Sequence, residues 1–224
     1  MLNRFWQLKR TLDQNFRIPL LQWWDQSYLL QTSPDFKQVL NAYQEIYPDS
    51  AAANLVSWLE RQDTRCLEEE DLTYGETPWR TWLKIIPLLQ LKAGDRFVDL
   101  GCGTGILALY LAYQENIQVT GIDQIQRFIA NARLLAEKFN LQAEFREGSV
   151  LELDLSEFNA VYCVCTCFSE SCRQNLLQNL AKTQVGTRIL SVTHGLDSPD
   201  LELVNTYSFS FAWGKDSVYV YRKH

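Results

Sequence analysis

From Tyr74 onward, short apolar runs alternate with longer stretches of helical texture. The runs are Arg96–Leu100, Gln118–Ile122, Ala143–Arg146, Ala160–Val164 and Arg188–Val192. Helices are predicted between them, near Ile106–Gln114, Ile125–Phe139 and Ser171–Thr183. Strand–helix alternation implies parallel strands joined by crossover helices. The end of the chain reads differently. Glu202–Trp213 and Asp216–Tyr221 are two strand-like segments separated by Gly214-Lys215, a hairpin signal. The pattern predicts an α/β fold: a doubly wound, mostly parallel seven-stranded sheet with an antiparallel C-terminal hairpin.

The first third of the chain lacks strand signals. Residues from Leu2 to about Arg65 read as helices rich in Trp, Gln and Leu. Ser33-Pro34-Asp35 and Asp49-Ser50 mark helix starts, where short oxygen side chains can cap free backbone N–H groups. Trp23, Trp24 and Trp58 need apolar cover, so the segment is expected to pack on the rest of the protein. The acidic run Glu68-Glu69-Glu70-Asp71 reads as a solvated linker. The predicted division is a helical N-terminal extension over residues 1–70 and an α/β domain over residues 71–224. The extension is either a packing element or a lid. Thr77 is expected to cap a helix that begins with Pro78 and runs to about Leu91, before the turn Lys92-Ala93-Gly94-Asp95.

Composition narrows the function classes. The 224 residues are 46% hydrophobic and 21% charged, which is ordinary globular usage and rules out a wholly disordered chain. A formal net charge of -6 argues against a general nucleic-acid binder. No apolar run reaches membrane-span length, and Met1–Leu12 does not read as a secretory signal. The six cysteines are Cys66, Cys102, Cys163, Cys165, Cys167 and Cys172. Alternating cysteines on one strand are poorly placed to bridge one another, so they are expected to be reduced thiols in a cytoplasmic protein. Cys163, Cys165 and Cys167 share one face if the strand runs that far. Their spacing lacks the two-residue gap of zinc knuckles, and only His194 is a further ligand candidate, so no metal is expected.

The most informative segment is Phe97-Val98-Asp99-Leu100-Gly101-Cys102-Gly103-Thr104-Gly105. An apolar strand ends in an acidic residue, three glycines follow at alternate positions, and a helix begins. Glycines let the backbone turn sharply and approach a ligand that a Cβ would repel. A second acidic residue, Asp123, ends the next strand, at a distance suited to receiving two ribose hydroxyls. The dinucleotide fingerprint would require Gly at Ile106, three residues after Gly103. Asp99, just before the first Gly, is also poor company for a pyrophosphate. It suits a cation such as the amino group or sulfonium of S-adenosyl-L-methionine (SAM). SAM is therefore the expected cofactor, with NAD excluded.

Asp99 to Gly105 resembles the acidic residue and Gly-x-Gly-x-Gly motif of the class I SAM-dependent methyltransferases, and the resemblance covers about Tyr74 to Arg222. It implies a Rossmann-like fold with the terminal hairpin as the family's antiparallel end. It also implies that Asp99 holds the methionine end and Asp123 the ribose. The segment Glu147-Gly148-Ser149-Val150 would supply an adenine contact; many members carry Asp where this chain has Ser149. The implied cofactor-binding set is Thr77, Asp99, Gly101, Cys102, Gly103, Gly105, Asp123, Gln124, Ser149, Val150 and Cys165. More narrowly, Tyr74-Gly75-Glu76-Thr77 before the first helix looks like the non-SET, telomeric-silencing type of protein-lysine methyltransferase. The stretches from Val161 to Ser191 and Asp216 to Tyr221 are similar in layout to that group. Where those enzymes have an Asn pair after the fourth strand, this chain has Cys165-Thr166.

Methyl transfer from SAM needs no covalent catalyst. The protein aligns a nucleophile and removes its proton where required. Tyr74 and Glu76 are the catalytic candidates: an aromatic wall, and a carboxylate that attracts a cationic amine. The loop they sit on is expected to close over the methionine end, near the carboxyl ends of the strands. Trp79, Phe168 and Trp213 are further candidates for an aromatic channel, which would favour a neutral lysine amine. His194, after the fifth strand, is either a general base or a residue that orders its loop. The expected acceptor is a protein lysine amine. The alternatives are a small-molecule acceptor and a SAM-binding module without catalysis.

Overall fold

A computed structural model describes residues 18–63, 75–114 and 117–224. Seven strands form one sheet in the order β3-β2-β1-β4-β5-β7-β6. They are β1 (Arg96–Leu100), β2 (Gln118–Asp123), β3 (Ala143–Glu147), β4 (Ala160–Val164), β5 (Arg188–Val192), β6 (Leu201–Phe211) and β7 (Gly214–Lys223). β1 to β5 pair in parallel, and β7 runs antiparallel between β5 and β6. This is the sheet the sequence pattern predicts. The hairpin differs in one detail: the strands meet at Ala212-Trp213, and Gly214 and Lys215 already belong to β7.

The central strands read as near-continuous apolar runs because both faces of the sheet are covered. Phe97, Tyr162, Leu190 and Val192 point to one face, against helices α5 (Ile106–Gln114) and α6 (Gln126–Lys138). Val98, Leu100, Val161, Cys163 and Ile189 point to the other, against Leu176 and Leu180 of α7 (Glu170–Leu180). Strand order reverses at the junction of β1 with β4, and the carboxyl ends of these strands open a crevice there.

The N-terminal helices α1 (Ile18–Thr32), α2 (Lys37–Ile46) and α3 (Ser50–Asp63) join the α5–α6 face. The tryptophans expected to anchor them do not: Trp23, Trp24 and Trp58 are 63%, 53% and 51% exposed. Leu29, Phe36, Val39, Leu40, Tyr43 and Tyr47 are buried instead. Each such large apolar group contributes about 1.5–3 kcal/mol. Phe36 meets Tyr110 edge-on at 5.1 Å and Trp79 at 6.0 Å. The boundary expected at residue 70, the acidic run and Tyr74 lie outside the described residues.

Helix α4 (Trp79–Ile85) continues as a short 3-10 turn over Ile86–Leu89, where Pro87 cannot sustain an α-helical hydrogen bond. Thr77 does not cap it. The N-cap position is Pro78, and the Thr77 hydroxyl instead pairs with the Tyr162 hydroxyl at 2.9 Å. The cap comes from α1: Asp25 accepts hydrogen bonds from the backbone N–H groups of Trp79 (2.6 Å) and Arg80 (2.9 Å). Asp25→Ala is expected to destabilise the protein by about 1 kcal/mol, read as a lower midpoint in chemical denaturation. An unchanged midpoint would remove Asp25 from the fold's supports. No helix among the described residues is long and apolar enough to cross a membrane.

Candidate active site

The crevice at the ends of β1, β2 and β4 is a cleft of about 260 Å³. The turn after β1 forms its floor. The backbone N–H groups of Gly101 and Cys102 both donate to the Ile122 carbonyl at 2.9 Å, which ties the turn to the end of β2. Gly101, Gly103 and Gly105 take φ of +78°, +54° and +75°, the left-handed region that glycine adopts without strain.

Asp123 organises this turn as well as facing the cleft. Its Oδ2 accepts from the Gly103 N–H at 2.8 Å and its Oδ1 from the Ile125 N–H at 2.9 Å. Burial raises its carboxyl above the usual range, and these N–H bonds oppose that rise. Asp99 is different. It is 3% exposed, and its carboxyl accepts no hydrogen bond among the described residues. Burial, and then the charge of Asp123, push it up to about 8. Cys102 lines the same wall, and burial followed by these two acids pushes its thiol well up, so it is no thiolate nucleophile.

Gly75, Glu76 and Thr77, which precede α4, also line the cleft. Glu76 is pushed up to about 7 by burial and then by the charge of Asp25. Tyr162, which pairs with Asp99 in the β1–β4 register, stands beside Thr77.

Of the expected site residues, Glu76, Thr77, Asp99, Gly101, Cys102, Gly103, Asp123, Gln124 and Val150 line the cleft. Tyr74 lies outside the described residues. Three do not line it. Gly105 is buried between α5, α6 and β3, where a Cβ would meet Phe145 and Ala132. The Ser149 hydroxyl turns back to accept from the Leu151 N–H at 3.2 Å. Cys165 is fully buried, with its sulfur 3.6 Å from that of Cys163 and 3.5 Å from the Ser191 hydroxyl. The reason is that β4 stops at Val164 and a 3-10 turn over Cys165–Cys167 breaks the alternation. That turn sends Cys165 inward and Thr166 and Cys167 to the cleft. Of the aromatic candidates, Phe168 and Trp213 line the cleft, whereas Trp79 is buried against Phe36 and Tyr110. His194 is not on the cleft wall; its carbonyl accepts from the Ser191 hydroxyl at 2.7 Å, which orders the loop after β5. Ile125, Phe128, Tyr162 and Thr166 were not foreseen. Tyr162 was accessible to strand register, being opposite Asp99 on a parallel neighbour.

Residues 97–184 match the family model described as a methyltransferase domain. The matched span runs from β1 past the end of α7 and includes the glycine turn and Asp123. The cofactor supported by this match and by the relatives below is S-adenosyl-L-methionine. The chain is similar to a SAM-dependent Diels-Alderase of Talaromyces variabilis, 45% identical over 58 residues, which is 26% of this chain and 20% of that protein. It is also similar to the 27-O-demethylrifamycin SV methyltransferase of Amycolatopsis mediterranei, 32% identical over 90 residues, 38% of this chain and 32% of that protein. The chain spans less than half the length of these curated relatives. In fold it is similar to an RNA methyltransferase from Salinibacter ruber solved with S-adenosyl-L-homocysteine. That likeness has a TM-score of 0.57 and 24% identity, and it covers 66% of this chain and 93% of the other.

The cleft fits SAM on its own chemistry. A buried carboxyl with no hydrogen-bond partner among the described residues, at Asp99, suits a cation. The left-handed glycines at 101 and 103 leave backbone open to a close ligand. Ile125, Phe128 and Val150 supply an apolar wall.

Proposed function

We propose that this chain transfers the methyl group of SAM to a nucleophile held on the Glu76 side of the cleft. The carrying observation is that one cleft holds two carboxyls pushed toward neutrality by burial and then by the charge of a second acid: Asp99 in β1, raised by Asp123, and Glu76 before α4, raised by Asp25. Asp99 takes the cofactor's ammonium group and Asp123 its ribose hydroxyls. Ile125, Phe128 and Val150 flank the adenine. SAM supplies an electrophilic methyl group. The chain's residues orient the partners, exclude water and handle the proton. Glu76, poised at about 7, accepts the proton that the nucleophile loses.

The acceptor we favour is an amine, with a protein lysine as its macromolecular form, in keeping with the Tyr-Gly-Glu-Thr loop and the aromatic rings of Phe168 and Trp213 on the cleft wall. The name of the Amycolatopsis relative favours a second reading, a small-molecule acceptor. The name of the Talaromyces relative favours a third, SAM binding without methyl transfer. Incubation with methyl-labelled SAM and a cell extract separates them. Label on macromolecules supports the lysine reading, label on small molecules the second, and SAM binding with no transferred label the third.

Glu76→Gln tests the proton acceptor. A general base contributes about 10²–10⁴ in rate, so turnover is expected to fall at least 100-fold while SAM affinity stays unchanged. Wild-type activity is expected to rise with pH through about 7, as Glu76 loses its proton; the variant should lack that limb. Gln resembles the protonated acid that burial favours, so the melting temperature at pH 8 should not fall. Wild-type turnover in Glu76→Gln would remove Glu76 from the chemistry.

A further inference from the structure

Four side chains link the cleft wall to the ends of β5 and β7. Thr166 and Trp213 line the cleft; Thr193 and Asp216 stand behind them. The Thr193 hydroxyl donates to Asp216 Oδ2 at 2.6 Å. The Trp213 indole N–H donates to the same oxygen at 2.8 Å. The Ser217 backbone N–H donates to Asp216 Oδ1 at 2.7 Å. The Thr166 and Thr193 hydroxyl oxygens are 2.6 Å apart. Thr193 holds φ +74°, a left-handed backbone that a β-branched residue rarely adopts, while its N–H donates to the Ser217 carbonyl at 2.9 Å. Strain of this kind persists only where surrounding contacts over-determine it, and such positions cluster at functional sites.

Proton bookkeeping gives this chain a direction. Partial burial opposes ionisation of Asp216, but the bonds from Thr193, Trp213 and Ser217 prevail and hold its carboxyl below the usual range. An ionised carboxylate only accepts. The one hydroxyl proton of Thr193 is therefore committed to Asp216. The short contact to Thr166 then requires Thr166 to be the donor, so its proton points away from the cleft. What Thr166 shows the cleft is oxygen lone pairs alone. The Trp213 N–H is likewise turned away, and the ring, stacked on Phe211 at 4.8 Å, shows only carbon.

We propose that Thr166 accepts a hydrogen bond from the N–H or O–H of the methyl acceptor, and that Thr193 and Asp216 are positioning residues that fix it as an acceptor. The proposal rests on the methyl-transfer reading and deepens it. The site selects a protic nucleophile, a primary or secondary amine or a hydroxyl, over a thioether, tertiary amine or carbon nucleophile. A protic group satisfies the fixed lone pairs; an aprotic one leaves them desolvated and unpaired.

The test uses the full chain with methyl-labelled SAM and cell extract, with products identified by mass spectrometry. The expected product carries its new methyl on nitrogen or oxygen. Thr166→Val should lower label transfer at least tenfold with unchanged SAM affinity, and Thr166→Ser should restore it. Thr193→Gly keeps the backbone, since glycine takes φ +74° freely, and removes the relay hydroxyl. It should raise the KM for the acceptor, once identified, more than it lowers kcat. Methyl on sulfur or carbon, or wild-type transfer in Thr166→Val, overturns the proposal and leaves methyl transfer standing. SAM binding with no label transferred by the wild type overturns both.

Discussion

Gly105→Ala is expected to destabilise the protein by about 2–4 kcal/mol, and to act on the fold before it acts on SAM. Two effects add. At φ +75° the backbone of residue 105 is left-handed, which costs a non-glycine residue about 1 kcal/mol. The added Cβ would also lie 2.7 Å from Phe145 Cε1 and 2.8 Å from Ala132 Cβ. Both neighbours are fully packed, Phe145 at 3% and Ala132 at 0% exposure, so neither can give way cheaply. Gly101→Ala is the control. Its φ is similar, at +78°, but its Cβ would meet nothing closer than the Phe168 ring at 3.7 Å. That variant should lose about 1 kcal/mol of stability and bind SAM more weakly, because its Cβ stands in the cleft. Urea denaturation and SAM titration of the two variants separate the roles. Equal stability losses would mean that Gly105 is a ligand-approach glycine after all.

The sheet was legible because its central strands are covered on both faces. Burial of this kind forces uninterrupted apolar runs, and β1, β4 and β5 have the bounds the runs predict. The turn from Asp99 to Gly105 was legible because its glycines answer to backbone geometry, which sequence encodes directly. Side-chain direction was less legible. The alternation that would bring Cys163, Cys165 and Cys167 to one face holds only while the strand lasts, and β4 ends at Val164. The third glycine sits at the same spacing as the first two, yet only a partner in space, Phe145 of β3, reveals that it serves packing. The cap of α4 was invisible for a related reason. Thr77-Pro78 has the local signature of a helix start, but the acceptor comes from Asp25, 54 residues before Trp79. Thr77 is freed to pair with Tyr162 on the cleft wall.

SAM is expected to bind about 10- to 50-fold more tightly at pH 8 than at pH 6, with release of a proton. The cause is Asp99. In the free protein its carboxyl is buried, meets no hydrogen-bond donor among the described residues and faces the charge of Asp123, so its proton stays on up to about pH 8. Such a group binds its proton more tightly folded than unfolded. It therefore supports the fold at low pH, and that contribution is lost as pH rises from near 4 through about 8. A cation bound beside Asp99 reverses the balance by stabilising the carboxylate. Below pH 8 the cofactor must displace a proton in order to gain that partner, and each unit of acidification costs up to about tenfold in affinity. The melting-temperature gain on adding SAM should grow with pH for the same reason. Calorimetry in two buffers of different ionisation enthalpy counts the released proton. Asp99→Asn, which cannot ionise, controls for titration of the ligand itself. It should bind SAM weakly at pH 8, with a flatter pH dependence, while the free variant loses the fall in stability between pH 4 and 8. Equal SAM affinity for the wild type at pH 6 and pH 8, with no proton released, would show that Asp99 is already ionised or does not meet the cation.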